Sequence, residues 1–284
     1  MEMLMPIKRT VTWLLPLLVL GFSSMAVANA KPEAGAPGNE QQAFDHEHRD
    51  WDALLKKHVR VLRGGQVTQV DYAAFKADPK PLRAYLARLS AFKESDFNAS
   101  SKEEQIAFLI NVYNAFMIDL VIQNHPVSSV KKIGIPFVGP WKKAYIPVFG
   151  RKLSLDDVEH GMLRKNYNEP RIHFGVNCAS VSCPPLRAEA FVGRRLGAQL
   201  DEQAGLFFTN ESENSFDSAK GVLSINPILK WFSEDFTKTG DPGLVSYVSQ
   251  YLPALAAELR AGKAKADGIR VEFKSYNWAL NGPG

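Results

Sequence analysis

Cysteine is scarce in this chain: two occur in 284 residues, Cys178 and Cys183. Four residues separate them, so the two-residue spacing of thioredoxin-like redox motifs and zinc knuckles is absent, and neither metal nor cofactor is expected. An excess of either charge is lacking too, since 34 Lys and Arg face 30 Asp and Glu. That near-balance gives no electrostatic ground for a nucleic-acid partner. Internal repeats are missing. The apolar run near the start, Val11 to Phe22, is too short and too sharply ended for a comfortable membrane span.

What is present at the N-terminus reads as a secretory signal. Lys8 and Arg9 precede the apolar run, and Ala28-Asn29-Ala30 follows it as a small-x-small cleavage site, with no cysteine nearby to carry a lipid. The expected organisation is a signal peptide at 1–30, a flexible leader at 31–43 (KPEAGAPGNEQQA) and a single globular domain at 44–284. Removing Lys8, Arg9 and Glu2 leaves 32 basic against 29 acidic residues. The product is expected to be periplasmic or secreted, without an integral membrane segment in its mature form.

Periodicity then sets out the elements. Phe44, Trp51, Leu54, Leu55 and Val59 recur at helical spacing; Gly64-Gly65 stops them ahead of an extended piece at Val67 to Tyr72. A second helix is expected from Pro81 to Phe92. In SKEEQIAFLINVYNAFMIDLVIQNHP, Ser101 and Glu104 form a capping box and Pro126 ends a helix of about 23 residues, apolar on nearly every face. Glu104 and Asn111 fall within about 20° of each other round that helix, and Asn114 about 60° further. Buried amides need partners, so these three polar groups are candidate site residues as well as candidate ties to a neighbouring loop.

A hairpin is expected over 144–155 with its turn at Phe149-Gly150, and Ser154 with Asp157 caps a helix carrying Glu159 and His160. Ile172, Phe174 and Val176 alternate with Arg171, His173 and Gly175, which predicts a strand. Next come a helix from Gly193 to Phe208, a hairpin over 215–225 and a helix from Ile228 to Phe236. A further helix at 244–259, disturbed at Pro253, precedes a last strand at 269–274. Mixed order and the shortage of regular strand-helix repeats predict an α+β class: one helix-rich domain with a small antiparallel or mixed sheet.

The segment RIHFGVNCASVSCPP concentrates both cysteines beside a histidine and an asparagine. A Cys178–Cys183 bridge would close a very small loop worth only about 2 kcal/mol, so its value would be local. A nucleophilic thiol instead needs a base and a group that orients the base. Cys178 is the candidate nucleophile, His173 or His160 the base, and Asn177, Asn111, Asn114 or Glu104 the orienting group. Since His173 lies five residues from Cys178, their contact requires the chain to fold back after Asn177.

The ordered motifs EQIAFLINVYNAF, LSLDDVEHGMLR, PRIHFGVNCASVSCPPLR and YNWALN resemble the family called domain of unknown function 547. The resemblance picks out Asn111, Tyr113, Asn114, Glu159, His160, Arg164, His173, Cys178, Ser182, Pro184, Tyr276, Trp278 and Asn281. It implies Cys178 as the functional thiol and Cys183 as the replaceable one. Histidine ahead of cysteine also looks like permuted papain-like hydrolases, so a papain-like or transglutaminase-like arrangement is expected by analogy.

Two functions follow as expectations. One is an exported thiol-dependent hydrolase or acyltransferase cutting an amide or ester bond in a peptide, glycan or small substrate. The alternative is a non-catalytic periplasmic binding or scaffold protein whose recognition loop carries a Cys178–Cys183 disulfide.

Overall fold

A computed structural model describes residues 43–134, 139–238 and 240–283. The expected signal peptide and leader lie outside these residues, apart from Ala43. Helix α1, Arg49–His58, buries Trp51, Leu54 and Leu55, and passes directly into a hairpin of β1, Val59–Leu62, and β2, Val67–Val70. The helical periodicity read from Phe44 to Val59 is therefore shorter at both ends, and Val59 pairs with Val70 instead. Helices α2, Tyr72–Ala77, α3, Lys80–Ala91, and α4, Glu94–Ala99, then wrap the next element.

That element is α5, Lys102–Asn124. Its capping box is formed: Glu104 N–H donates to Ser101 Oγ at 3.2 Å, and Ser101 N–H donates to Glu104 Oε2 at 2.9 Å. Every residue from Ile106 to Ile122 is buried. The helix packs against α2, α3 and, further along the chain, α7, Leu196–Phe208. An all-round apolar helix of this length is a core axis when neighbours cover each face, and burial of each large aliphatic or aromatic chain stabilises it by about 1.5–3 kcal/mol.

Strands β3, Ile146–Val148, and β4, Arg151–Leu153, form the expected hairpin, with Phe149 and Gly150 both at positive φ in its turn. After the Ser154–Asp157 cap the backbone winds as a π-helix over Asp157–Arg164. Residues 172–176 correct the expected strand: α6, Ile172–Gly175, is a single helical turn. Alternation misled there because every residue from Ile172 to Asn177 is buried, so the pattern does not report one covered face.

The C-terminal part contains β5, Ser215–Asp217, β6, Val222–Ile225, α8, Ile228–Trp231, α9, Ser233–Phe236, α10, Asp241–Ser249, α11, Pro253–Arg260, and β7, Arg270–Phe273. The helix expected at 228–236 is thus two short helices, and Pro253 starts a new helix rather than disturbing an old one. β5 pairs antiparallel and β7 parallel with β6, a small mixed sheet. The class is α+β and helix-rich, as the sequence predicts.

Two apolar clusters form. One is centred on α5; the other joins Phe174, Phe207 and Phe208 to the C-terminal sheet and helices. Ile172 and Val176 belong to the first cluster and Phe174 to the second, so α6 lies at their junction.

Candidate active site

Cys178 follows α6 in a sharp reversal. Ala179 stands at φ 63°, a left-handed conformation that costs a non-glycine residue about 1–2 kcal/mol. The surrounding bonds hold it there: Ala179 N–H donates to Asn177 Oδ1 at 2.9 Å, and its carbonyl accepts from Asn281 N–H at 3.1 Å. Asn177 is itself fixed, with its N–H donating to Asn114 Oδ1 at 2.8 Å and its amide to the Pro184 carbonyl at 2.8 Å.

The chain after β7 returns across this loop. Val181 N–H donates to the Ala279 carbonyl at 2.9 Å, and Ser182 N–H to that of Asn277 at 3.2 Å. Ser182 Oγ accepts from Asn277 N–H at 3.0 Å and donates to Glu213 Oε1 at 3.0 Å. These bonds set Tyr276 beside the thiol.

Cys178 Sγ lies 3.2 Å from Tyr276 Oη and 3.0 Å from Ser180 Oγ, while those two hydroxyls are 3.1 Å apart. Either hydroxyl can donate to the sulfur, and such a bond stabilises its anion. Burial pushes the Cys178 thiol up, but hydrogen bonds from Cys183, Ser180 and Tyr276 outweigh it and bring the pKa down to about 7. Burial and the neighbouring Cys178 push the Cys183 thiol well up, so it stays protonated. Both cysteines are free thiols, and Cys178 N–H points at Cys183 Sγ, 2.9 Å away. That N–H is therefore engaged by sulfur rather than left open to a substrate oxygen.

Cys178 and Cys183 face a cavity of about 270 Å³. Its wall includes Glu159, His160 and His173 as well as Tyr113, Trp141, Trp231, Phe232, Tyr276 and Trp278. The π-helix supplies Glu159, His160 and Arg164. In its i→i+5 register, residues five apart, such as Glu159 and Arg164, come round to one side, and such segments recur at functional sites.

His173 is nearly sealed: its side chain is 1% exposed and stacks on Phe232 with ring centroids 4.3 Å apart. Its Nε2 lies 2.6 Å from Asp235 Oδ2, a contact that assigns the ring proton to Nε2. Asp235 also accepts from Arg164 Nε at 2.5 Å and Nη2 at 3.0 Å. Burial opposes its charge, but the bonds from His173 and Arg164 hold the carboxyl far below the usual carboxylate range. Burial pushes the His173 imidazole down, leaving Nδ1 as an acceptor 3.8 Å from Glu159 Oε1.

Glu159 completes the system. Burial, reinforced by the charge of Cys178 and opposed by the Tyr113 hydroxyl, raises its pKa to about 7. Thiol and carboxylic acid thus titrate over the same range, the condition for passing one proton between them.

The structure brings Cys178, His173 and His160 to one cavity, but the hydrogen-bond partners of the Cys178 sulfur are Ser180 and Tyr276, while Cys183 Sγ accepts from the Cys178 N–H. His160 sits apart, its Nδ1 3.3 Å from Arg164 Nη1 and its Nε2 3.8 Å from Asp156 Oδ1. Glu104, Asn111 and Asn114 lie outside the cavity wall. Glu104 is used by the capping box and packs under Gly193, where an added Cβ would lie 2.6 Å from its Cγ. Asn111 spans the backbone of Phe191, donating to its carbonyl at 2.8 Å and accepting from its N–H at 3.1 Å. Asn114 holds Gly175 and Asn177, so it acts on the site through the backbone. Asp235 and Ser180 carried no spacing signal in the sequence; Glu159 and Tyr276 stood within the resembling motifs without an assigned role.

Residues 97–208 match the family described as Protein of unknown function, DUF547. No curated protein and no solved structure matches the chain. The matched stretch contains Tyr113, Glu159, His160, His173, Cys178 and Cys183, while Trp231, Asp235, Tyr276 and Trp278 lie beyond it. The chain therefore carries a DUF547 family domain over residues 97–208, and its cavity is finished by residues that follow that domain.

Proposed function

We propose that the protein is an exported thiol-dependent hydrolase or acyltransferase acting on an amide or ester bond, with Cys178 as nucleophile. The observation that carries this reading is an accessible thiol held by hydroxyl donors, in one cavity with a carboxylic acid that also titrates near neutrality. Glu159 takes the thiol proton, with His173 Nδ1 behind it and Asp235 anchoring the ring. The sulfur attacks the carbonyl carbon, and the Tyr276 hydroxyl turns from sulfur to the oxyanion. As the tetrahedral adduct collapses, the C–N or C–O bond breaks and Glu159 returns the proton to the leaving amine or alcohol. Water or an acceptor amine then resolves the thioester, with Glu159 as base.

The apolar wall of Trp141, Trp231, Phe232 and Trp278 suits a peptide, glycan or small acyl substrate that presents an apolar face. The papain-like or transglutaminase-like arrangement belongs to this proposal as analogy, supported by histidine preceding cysteine in one segment. In this reading the imidazole acts on the thiol through Glu159, whose Oε1 lies 3.8 Å from His173 Nδ1.

Intact-mass spectrometry after exposure to a panel of activated esters and anilides tests the reading. An acyl adduct on Cys178 is expected, absent in Cys178→Ala and slowed about 10²–10⁴-fold in Glu159→Gln. Adduct formation that survives Cys178→Ala, or no adduct with any member of the panel, contradicts it.

A further inference from the structure

Cys183 forms and breaks no bond in that acyl chemistry, yet the fold places it against Cys178. The loop between them is closed before any covalent bond exists. Asn177 and Pro184, which flank the pair, are joined by a 2.8 Å hydrogen bond, and Cys183 N–H donates to the Ser180 carbonyl at 3.1 Å. Cys183 Sγ sits 2.9 Å from the nitrogen of Cys178, the residue whose thiol it would join. Both face the open cavity, so a small oxidant has access. An accessible thiol beside a second, protonated thiol is the arrangement of a reactive cysteine with its resolving partner.

We propose that Cys178 and Cys183 are a reversible oxidation site, where a hydroperoxide oxidises Cys178 and Cys183 resolves the product to an internal disulfide. In the first step the Cys178 thiolate attacks one peroxide oxygen. An S–O bond forms, the O–O bond breaks and the departing alkoxide takes a proton from water; sulfur loses two electrons and the peroxide gains them. In the second step the Cys183 sulfur attacks the sulfenic sulfur. The S–S bond forms, the S–O bond breaks, and the leaving hydroxide takes the Cys183 proton to become water. One hydroperoxide is thus converted to an alcohol and a water molecule. An external dithiol reverses the bridge by exchange and becomes a disulfide itself. The site requires only the two thiols, so it stands independently of the acyl-transfer reading; if both hold, oxidation stops acyl transfer by occupying the nucleophile.

The test uses the reduced full chain and one equivalent of hydrogen peroxide, followed by N-ethylmaleimide and peptide mapping. Both cysteines fall on one tryptic peptide, Ile172 to Arg187, so an internal bridge appears as an unlabelled peptide lighter by two hydrogens. Dithiothreitol is expected to restore both labels. Cys183→Ser should stop at a dimedone-reactive sulfenic acid on Cys178, and Cys178→Ser should leave Cys183 labelled, oxidising more slowly by about tenfold or more. Equal oxidation of the two variants, or wild-type protein giving sulfinic acid or intermolecular dimers in place of the bridge, overturns the proposal. The wild-type map decides the matter alone if either variant fails to fold. Acyl adducts formed without a bridge would defeat this site and leave the hydrolase standing; a bridge without adducts would do the reverse.

Discussion

Cys178 and Glu159 are best understood as two acids displaced towards each other. The thiol comes down because hydroxyls and a second sulfur solvate its anion; the carboxyl goes up because burial removes the water that would solvate its anion. The signs for stability are opposite. A carboxyl raised from 4.5 to about 7 contributes stability that is complete below 4.5 and is lost as pH rises through about 7. The loss amounts to about 3 kcal/mol at 1.36 kcal/mol per unit. A thiol lowered from 9.0 to about 7 contributes stability that is present above 9.0 and lost as pH falls through about 7. Between 4.5 and 7 Cys178 remains mostly protonated, so burial carries the Glu159 effect there. Across that window, thermal melts should show wild-type protein losing stability relative to Glu159→Gln. Parallel melting curves for the two proteins would mean that Glu159 is an ordinary carboxylate.

At the scale of elements, α5 was legible because two independent signals agree: a capping box at its start and apolar residues on all sides. The same helix made Asn111 and Asn114 conspicuous but could not assign their targets. Both pair with backbone more than 60 residues away, a relation that exists only after folding. Their neighbours make them distinguishable. Asn111→Leu and Asn114→Leu should each destabilise the fold by about 2–4 kcal/mol, since each leaves a buried carbonyl and N–H without partners. Only Asn114→Leu should also slow alkylation of Cys178, because Asn114 holds Gly175 and Asn177 on the approach to the thiol. Denaturant melts combined with iodoacetamide kinetics read both effects; equal loss of thiol reactivity in the two variants would contradict this division. The strand expected at 172–176 failed for a related reason: a short segment buried on all sides carries no usable period.

Across the whole molecule, the site is assembled from distant parts of the chain. α6 sits where the two apolar clusters meet, the π-helix brings Glu159 and Arg164, α9 brings Asp235, and the final residues bring Tyr276. The sequence could point to Cys178 and His173 because they are close in one motif. It could not show that Asp235 accepts the imidazole N–H, or that the tail closes over the sulfur, since both depend on chain reversal over 60 residues or more. The central claim is that this assembly makes Cys178 a thiolate near neutral pH. It is tested most directly by the pH dependence of iodoacetamide alkylation, site-resolved by mass spectrometry, in wild type and Tyr276→Phe. The expected midpoint for Cys178 is about 7, moved up by about one unit in Tyr276→Phe through loss of one hydrogen bond to a charged sulfur. A wild-type midpoint at the ordinary cysteine value of about 8.5, unchanged in the variant, would contradict it.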